Sequence, residues 1–340
     1  MQKELTPFRG GRLKYILNVG ELLIDIIPTT QIRLGEACYS PYPGGGAVAN
    51  VAVAVARLGG FSRFLGGVAE DEFGRLLVQV LDENHVDTQY VRVIKGAPTA
   101  VALVTLQADG QRRFTFFRQG TADLHLQAED LNWSAWHDVA ICHVGGVLLS
   151  AEPARSATLA AIDHTRQVGS LVSFDVNVRP ALWASRAAIR DTLAQVVQRS
   201  DILKFSADEA AFLSAQERSS TEPLARNELN AIGEALLEKG PALVILTAGA
   251  HEALLLTARH RVEVPALPVR PVDTTGAGDA FMGAILYQLV QQGCNTPSDL
   301  RSLTARDLSK LGSFAHQVAG LSVTRYGGIS SFPFMREVNG

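Results

Sequence analysis

Apolar runs of strand length recur along the chain: YILNV (15–19), LLIDII (22–27), DVAICHV (138–144), SLVSFDV (170–176), DILKF (201–205) and ALVILT (242–247). Between several of them lie stretches with an apolar stripe at helical spacing, such as GRLLVQVLDENHV and ATLAAIDHTRQVG. Strands alternating with helices predict an α/β fold, with a mostly parallel sheet covered on both faces. Two segments break the rhythm. One is 28–43, rich in Pro, Thr and Tyr; the other is TAVALVTLQADGQRRFTFFR (99–118), where two β-rich runs flank a turn at Asp109-Gly110. That turn predicts a hairpin, and a hairpin set into an α/β domain predicts a small antiparallel sheet. Such a sheet serves as a lid over a site, a dimer contact or both, the plain alternative being an edge extension.

The glycine-rich stretches carry the candidate chemistry. In PGGGAVANVAVAVARLGG (43–60), Gly44-x-Gly46-x-x-Ala49 imitates a dinucleotide fingerprint. About 16 residues separate it from the strand ending at Ile27, whereas the fingerprint leaves its strand directly. A nucleotide-dependent oxidoreductase is therefore disfavoured, and no GxxxxGK[ST] loop is present. What remains is Gly45-Gly46 feeding a helix of Ala and Val that is apolar on nearly every side and must be buried. Asn50 in its first turns needs a partner, either a neighbouring loop or a ligand.

The second stretch, VDTTGAGDAF (272–281), stands between a proline-broken extended run and the helical AFMGAILYQLVQQG, with Gly293 as the stop. Gly276, Ala277 and Gly278 thus lie at a helix N-terminus, where convergent N–H groups and the helix dipole make an anion site. Asp279 could merely cap the helix, but a cap does not require Gly-Ala-Gly before it. A base beside an anion hole, here for a phosphoryl group, explains the whole cluster. The dipole is expected to keep Asp279 ionised and weakly basic, which a loose phosphoryl-transfer transition state tolerates.

Bulk composition narrows the partners. The 340 residues are 47% hydrophobic, enough for one large domain, and 31 Lys+Arg against 34 Asp+Glu leave a net charge of -3 with no basic block. Nucleic acid is an unfavoured partner. The three cysteines, Cys38, Cys142 and Cys294, are far apart, which argues against a disulfide framework and fits a reducing compartment. The polar start, MQKELTPFRGGRLK, lacks the apolar core of a signal peptide, and no apolar run is long enough to span a membrane. A cytoplasmic location is expected.

Together, DTTGAGDAF and GGAVANVAVAVARLGG closely resemble the paired signatures of the ribokinase-like (PfkB) carbohydrate kinases, and the resemblance covers about residues 15–334. It implies a three-layer α/β sandwich with a small β-sheet lid built from about 28–43 and 90–120, residues 1–14 forming an N-terminal extension. It also implies ATP and Mg²⁺, transfer of the γ-phosphoryl to a sugar hydroxyl, and a homodimer formed through the lid. Carried over by position, Asp279 is the base and Gly276, Ala277 and Gly278 the anion hole. Asp25, Gly45, Gly46 and Asn50 hold the sugar. Thr247, Gly249 and His316 contact the nucleotide; for His316 on its own a packed helix histidine is the simpler reading. Glu209 reaches Mg²⁺ through water, and Asp273 and Thr275, with Gly327 and Ser331, hold a monovalent cation, K⁺.

Two positions depart from the family pattern. Ser206 stands where the magnesium motif has Asn, and Glu252 where the nucleotide loop has a second glycine, so that Glu252 must point away or the loop be rearranged. RRFTFFRQGTADLHL, HVGGVLLS, FDVNVRPALW and LKFSADEAAFL resemble the fructokinase branch. FDVNVR and SADE also suit aminoimidazole riboside kinases, and D-x-N-x-R-P-x-L-W suits 2-keto-3-deoxygluconate kinases. Arg118, projecting from a lid strand, is the expected discriminator, its guanidinium forking onto ketose hydroxyls or pairing with a carboxylate. Fructose leads. A non-catalytic sugar or nucleotide sensor would have no chemical need for Asp279.

Overall fold

The computed structural model describes residues 14–28, 39–106, 112–214 and 224–339. The extension before residue 14, Cys38, most of segment 28–43 and the Asp109-Gly110 turn lie outside them. In chain order, the first half contains β1 (Tyr15–Val19), β2 (Leu23–Pro28), β3 (Tyr39–Gly45), α1 (Ala47–Arg57), β4 (Phe61–Leu65), β5 (Gly67–Ala69), α2 (Glu72–Glu83), β6 (Arg92–Ile94), β7 (Val101–Leu106), β8 (Arg112–Phe117) and β9 (Val139–Gly145). There follow α3 (Ala154–Gln167), β10 (Leu171–Asp175), α4 (Arg186–Val197), β11 (Ile202–Ser206), α5 (Ala210–Leu213), α6 (Arg226–Leu237), β12 (Leu243–Thr247), β13 (Ala253–Leu256) and β14 (Arg261–Val264). The chain then turns helical with α7 (Ala277–Gln291), α8 (Pro297–Ser302), α9 (Ala305–Ser322) and α10 (Met335–Val338).

Eight strands form the main sheet in the order β14-β13-β12-β11-β10-β9-β1-β4. From β12 to β4 all neighbours are parallel; β13 and β14 close one edge antiparallel. Alternate side chains of each strand feed two cores. Ile16, Ile141, Ile202 and Ile245 pack with α1, α2, α7 and α9, whereas Leu17, Cys142, Leu203 and Val244 pack with α3, α4 and α6. This is the α/β sandwich with a parallel sheet covered on both faces that the alternation of strands and helices predicts.

LLIDII behaves differently from the other five apolar runs. Only Gly20, Glu21 and Leu22 separate β1 from β2, too few for the crossover that a parallel neighbour requires. The chain therefore leaves the main sheet, and β2 joins a second sheet of order β3-β2-β7-β8. Within it β7 and β8 pair antiparallel, as the hairpin pattern predicts, but β2 and β7 pair parallel. The small sheet is mixed rather than antiparallel, because its two hairpins enter the domain from separate points of the chain.

Helix α1 is buried at every position from Val48 to Ala56, as its all-round apolar pattern demands. It lies against α7 so closely that a Cβ on Gly283 would stand 2.6 Å from the Ala54 Cβ and 3.2 Å from the Val51 carbonyl oxygen. Gly283→Val gains slightly in helix propensity, but it must push two backbones apart. It is expected to cost about 1–3 kcal/mol, read as a lower urea midpoint at unchanged m-value.

Candidate active site

Two helix N-termini meet at the carboxyl ends of the parallel strands, where ligands of open α/β sheets bind. α1 starts from Gly46, whose φ of 105° favours glycine and where a Cβ would lie 2.3 Å from the Glu21 carbonyl oxygen. α7 starts from Gly276, left-handed at φ 76°, where a Cβ would meet the Phe332 ring at 2.9 Å. Asp279 sits inside the first turn of α7, and the capping position is Gly276. Asn50 Nδ2 donates to Asp279 Oδ2 at 2.7 Å. The partner that a buried Asn50 requires is thus the candidate base itself.

A cavity of about 550 Å³ opens over this contact. Asp279, Gly276 and Asn50 line it from the main body, Glu21 and Asp25 from the β1–β2 region, and Phe114 and Phe116 from the small sheet. The two phenylalanines stack at 6.1 Å, an apolar surface facing a polar floor. Asp25 is mostly buried, and Gly45 clears room for it, since a Cβ there would come within 3.0 Å of Asp25 Oδ1. Glu21 Oε1 accepts from the Ala47 N–H at 2.8 Å, tying the start of α1 in place.

Burial dominates the electrostatics. It pushes the Asp279 carboxyl up to about 7; Asp175 pushes the same way, while the Asn50 hydrogen bond, Lys204 and Arg179 oppose it. The expectation that the helix dipole keeps this group ionised and weakly basic is corrected, because desolvation of a carboxylate crowded by protein outweighs one helix end. Near neutrality Asp279 is poised between acid and base, as suits a proton acceptor. Beneath it Lys204 Nζ pairs with Asp175 Oδ2 at 2.8 Å, both side chains buried. Burial pulls Lys204 down, but Asp175, Glu209 and Asp279 outweigh it and hold the lysine above its ordinary value. Nearby His143 is forced down to about 4 by burial and stays neutral.

Glu209 accepts from the Val178 N–H and the Ser206 N–H, both at 2.9 Å. Ser206 thus meets the magnesium-motif glutamate through its backbone. Asp175 Oδ1, close by in the same charge cluster, is buried without a hydrogen-bond partner. No group of three or more His, Cys, Asp or Glu among the described residues could hold a metal by itself. A hydrated Mg²⁺ carried by phosphates, touching one or two carboxylates, fits this donor set; an all-protein cage does not.

Asp273 joins its loop to the turn at Gly327, accepting from the Thr275 N–H at 2.8 Å and the Gly327 N–H at 2.9 Å. Buried Ser331 donates its hydroxyl to the Gly328 carbonyl at 2.8 Å. The four residues expected to hold a monovalent cation therefore belong to one knot beside α7. Thr247 ends β12, and Gly249 follows it in the left-handed region at φ 60°.

Residues 13–335 match the pfkB family of carbohydrate kinases. The chain belongs to that family. Fructokinase-1 of Oryza sativa subsp. japonica is 38% identical over 330 residues, covering 97% of this chain and 98% of the relative. Among solved structures, a fructokinase from Xylella fastidiosa with bound ATP superposes with a TM-score of 0.84 at 30% identity, over 96% of this chain and 97% of that one. A fructokinase from Vibrio cholerae O395 in a fructose-, ADP- and calcium-bound form gives 0.80 at 31% identity, over 96% and 98%.

One residue of this pfkB-family chain, Arg118, sits where the sequence does not place it. Arg118 does not project from the lid. It is buried just beyond β8, its Nε bonded to Asp123 at 2.6 Å and its Nη1 to the Val147 carbonyl and Ser150, and it does not line the cavity. Buried Asp123 captures it, as an unpaired guanidinium in that place would be costly. Glu252 is turned to Arg226, 3.1 Å away, in keeping with a side chain that points aside. His316 Nε2 donates to the Val264 carbonyl at 3.1 Å, and the ring packs edge-on against Phe281. Glu21, Asn177 and Arg179 line the cavity without having been singled out; Asn177 and Arg179 lie in FDVNVRPALW, where a charged residue and a positive-φ asparagine interrupt an apolar run.

Because Asn50 donates to the ionised carboxylate, its loss destabilises the base form. The kcat/KM profile, which reports the free enzyme, is expected to rise with pH through a midpoint of about 7. In Asn50→Ala that midpoint moves to higher pH, so the loss of activity is larger below neutrality than above it. A midpoint that stays in place would show that Asp279 is not the group titrating.

Proposed function

We propose that this chain is an ATP-dependent fructokinase, transferring the γ-phosphoryl of ATP to the O6 hydroxyl of fructose. The observation that carries the reading is Asp279, half-buried beside a glycine-rich helix N-terminus and held by Asn50 at the floor of the cavity. Relatives named fructokinase, 38% and 33% identical over 97% of the chain, favour fructose over 2-keto-3-deoxygluconate and aminoimidazole riboside.

In this reading Asp25 and Asn50 orient the sugar, with Gly45 and Gly46 admitting it close to the backbone. A primary hydroxyl reaches furthest from the ring, so it approaches Asp279 without bringing the ring into the anion hole. Asp279 takes its proton, and the N–H groups at 276–278 receive charge that develops on the phosphoryl oxygens. Thr247, Gly249 and His316 face the nucleotide side. Mg²⁺, when bound with ATP, would neutralise the β and γ oxygens, and Glu209 is the residue that would hold its waters. Asp273, Thr275, Gly327 and Ser331 hold K⁺ and so brace the anion loop.

We also assign the segments about 28–43 and 90–120 to a lid that forms a homodimer contact, supported by Phe117, which is 59% exposed on the small sheet. A cytosolic location is in keeping with the free, buried Cys142 and Cys294. No helix among the described residues is long and apolar enough to cross a membrane.

The decisive assay is ADP release across a small sugar panel. Fructose is expected to lead, and a preference for 2-keto-3-deoxygluconate above about tenfold in kcat/KM, ~1.4 kcal/mol, would overturn the choice of sugar but not of reaction. Asp279→Asn should lower kcat by about 10²–10⁴-fold with nucleotide binding retained; near-normal turnover would reduce Asp279 to a structural residue. Replacing Na⁺ by K⁺ should raise the rate, and a flat response would remove the monovalent site.

A further inference from the structure

We propose that Lys204 is a catalytic residue of this site, its ammonium standing beside the Gly276–Gly278 loop to bind the phosphoryl group during transfer. The proposal rests on the kinase reading above and adds to it a residue from the central sheet.

Lys204 occupies a place built for an apolar side chain. It lies in β11 between the fully buried Leu203 and Phe205, and is itself 5% exposed. A charge taken into such surroundings is costly unless it is well served. Its neighbour in the adjoining strand is Asp175, directly opposite in register, and the ammonium donates to Asp175 Oδ2 at 2.8 Å. A closed ion pair of this kind could be purely structural. Two features set it apart from one.

The first is position. A Cβ built on Gly278 would lie 3.5 Å from Lys204 Nζ and 3.9 Å from its Cε. Among the described residues, and apart from the helix itself, the lysine head is the one neighbour within 4 Å on that flank of Gly278. The ammonium therefore abuts the loop whose N–H groups form the anion hole. An ammonium has three donors; among the described residues its side-chain hydrogen bond goes to Asp175, which leaves two.

The second is charge. Asp175, Glu209 and Asp279 all act on Lys204, and Arg179 and the neutral His143 complete the ionisable surroundings. One lysine held among three acids is not a balanced pair. It is a cation fixed against movement at the point where an anionic group must arrive. A compact ammonium on a sheet strand suits phosphate as a point charge, and in a water-poor site its attraction to phosphoryl oxygens is strengthened.

In the reaction, a lone pair of the sugar hydroxyl oxygen forms the new O–P bond. The bond from the γ-phosphorus to the β,γ-bridging oxygen breaks, and its electron pair leaves with ADP. The hydroxyl proton goes to Asp279. Lys204 exchanges no proton in this scheme; it binds the non-bridging oxygens of the group in flight, alongside the glycine N–H donors. Asp175 acts through it, as a positioning residue.

The test uses the full chain with MgATP and fructose, comparing Lys204→Met with the double variant Asp175→Asn/Lys204→Met. The single substitution strands Asp175 in the interior; the double removes both charges and decides the matter should the single variant fold poorly. Both variants are expected to lose about 10²–10³-fold in kcat while KM for fructose stays near that of the wild type. Lys204→Arg, which keeps the charge, should recover part of the loss. As a readout independent of turnover, titration with ADP, Mg²⁺, fructose and fluoroaluminate, a planar stand-in for the phosphoryl group, should show tightened ADP binding in the wild type and none in either variant. A double variant with wild-type kcat, or one that keeps the fluoroaluminate gain, would show Lys204 to be half of a structural pair. Failure of the wild type to phosphorylate any sugar would instead sink the kinase reading itself.

Discussion

The hydrogen bond from Asn50 to Asp279, 2.7 Å long, joins segments 229 residues apart in the chain, and much of the structure is arranged so that it can form. Both side chains stand in the first turns of buried helices, so α1 and α7 must run close together with their N-termini level. The apolar faces of the two helices supply the driving force, and Gly283 removes the side chain that would hold them apart. Gly46 and Gly276 then let the chain enter each helix through backbone angles and close contacts that suit glycine. Loosening any of these parts moves the base relative to the anion loop.

The price of that closeness is desolvation, and the site puts it to use. Asp279 is half-buried, with protein packed closely enough around it to push its carboxyl up to about 7, so the group that is expensive to ionise becomes a competent proton acceptor near neutrality. Lys204 and Asp175 share the same low-dielectric ground. Their pairing keeps a cation in the sheet beside the anion loop, while Glu209 braces the Val178 and Ser206 backbones on the other side. Charges that would be screened at the surface act strongly here because water is scarce.

The cavity owes its shape to one short connection. With three residues between β1 and β2, the chain cannot return to the main sheet and instead founds a second one. That sheet brings Phe114 and Phe116 over the polar floor and delivers Asp25 from its own second strand. One connection thus sets both the apolar roof and one of the sugar-facing carboxylates.

Periodicity and glycine placement made the α/β architecture, the buried Ala/Val helix, the hairpin strands and the anion loop legible, because each follows from local rules: strand-length apolar runs, all-round apolarity, convergent N–H groups at a helix start. β4 was not legible, since FSRFL carries Arg63, whose burial is permitted by Asp87 at 2.8 Å and by the Tyr15 ring beneath it. The environments of charged groups were equally hidden. Whether Arg118 reaches a ligand or is captured by Asp123, whether Asp279 is held ionised by a dipole or raised toward neutrality by desolvation, and whether Lys204 faces solvent or the anion loop are questions of how side chains fold against one another. The sequence by itself determined the elements and the residue types gathered at the glycine loops. Tertiary structure alone decided which charges were paired, which were buried and which were turned toward the cavity, because desolvation and Coulomb energies depend on the whole packed surroundings, which include neighbours as far as 229 residues away in the chain.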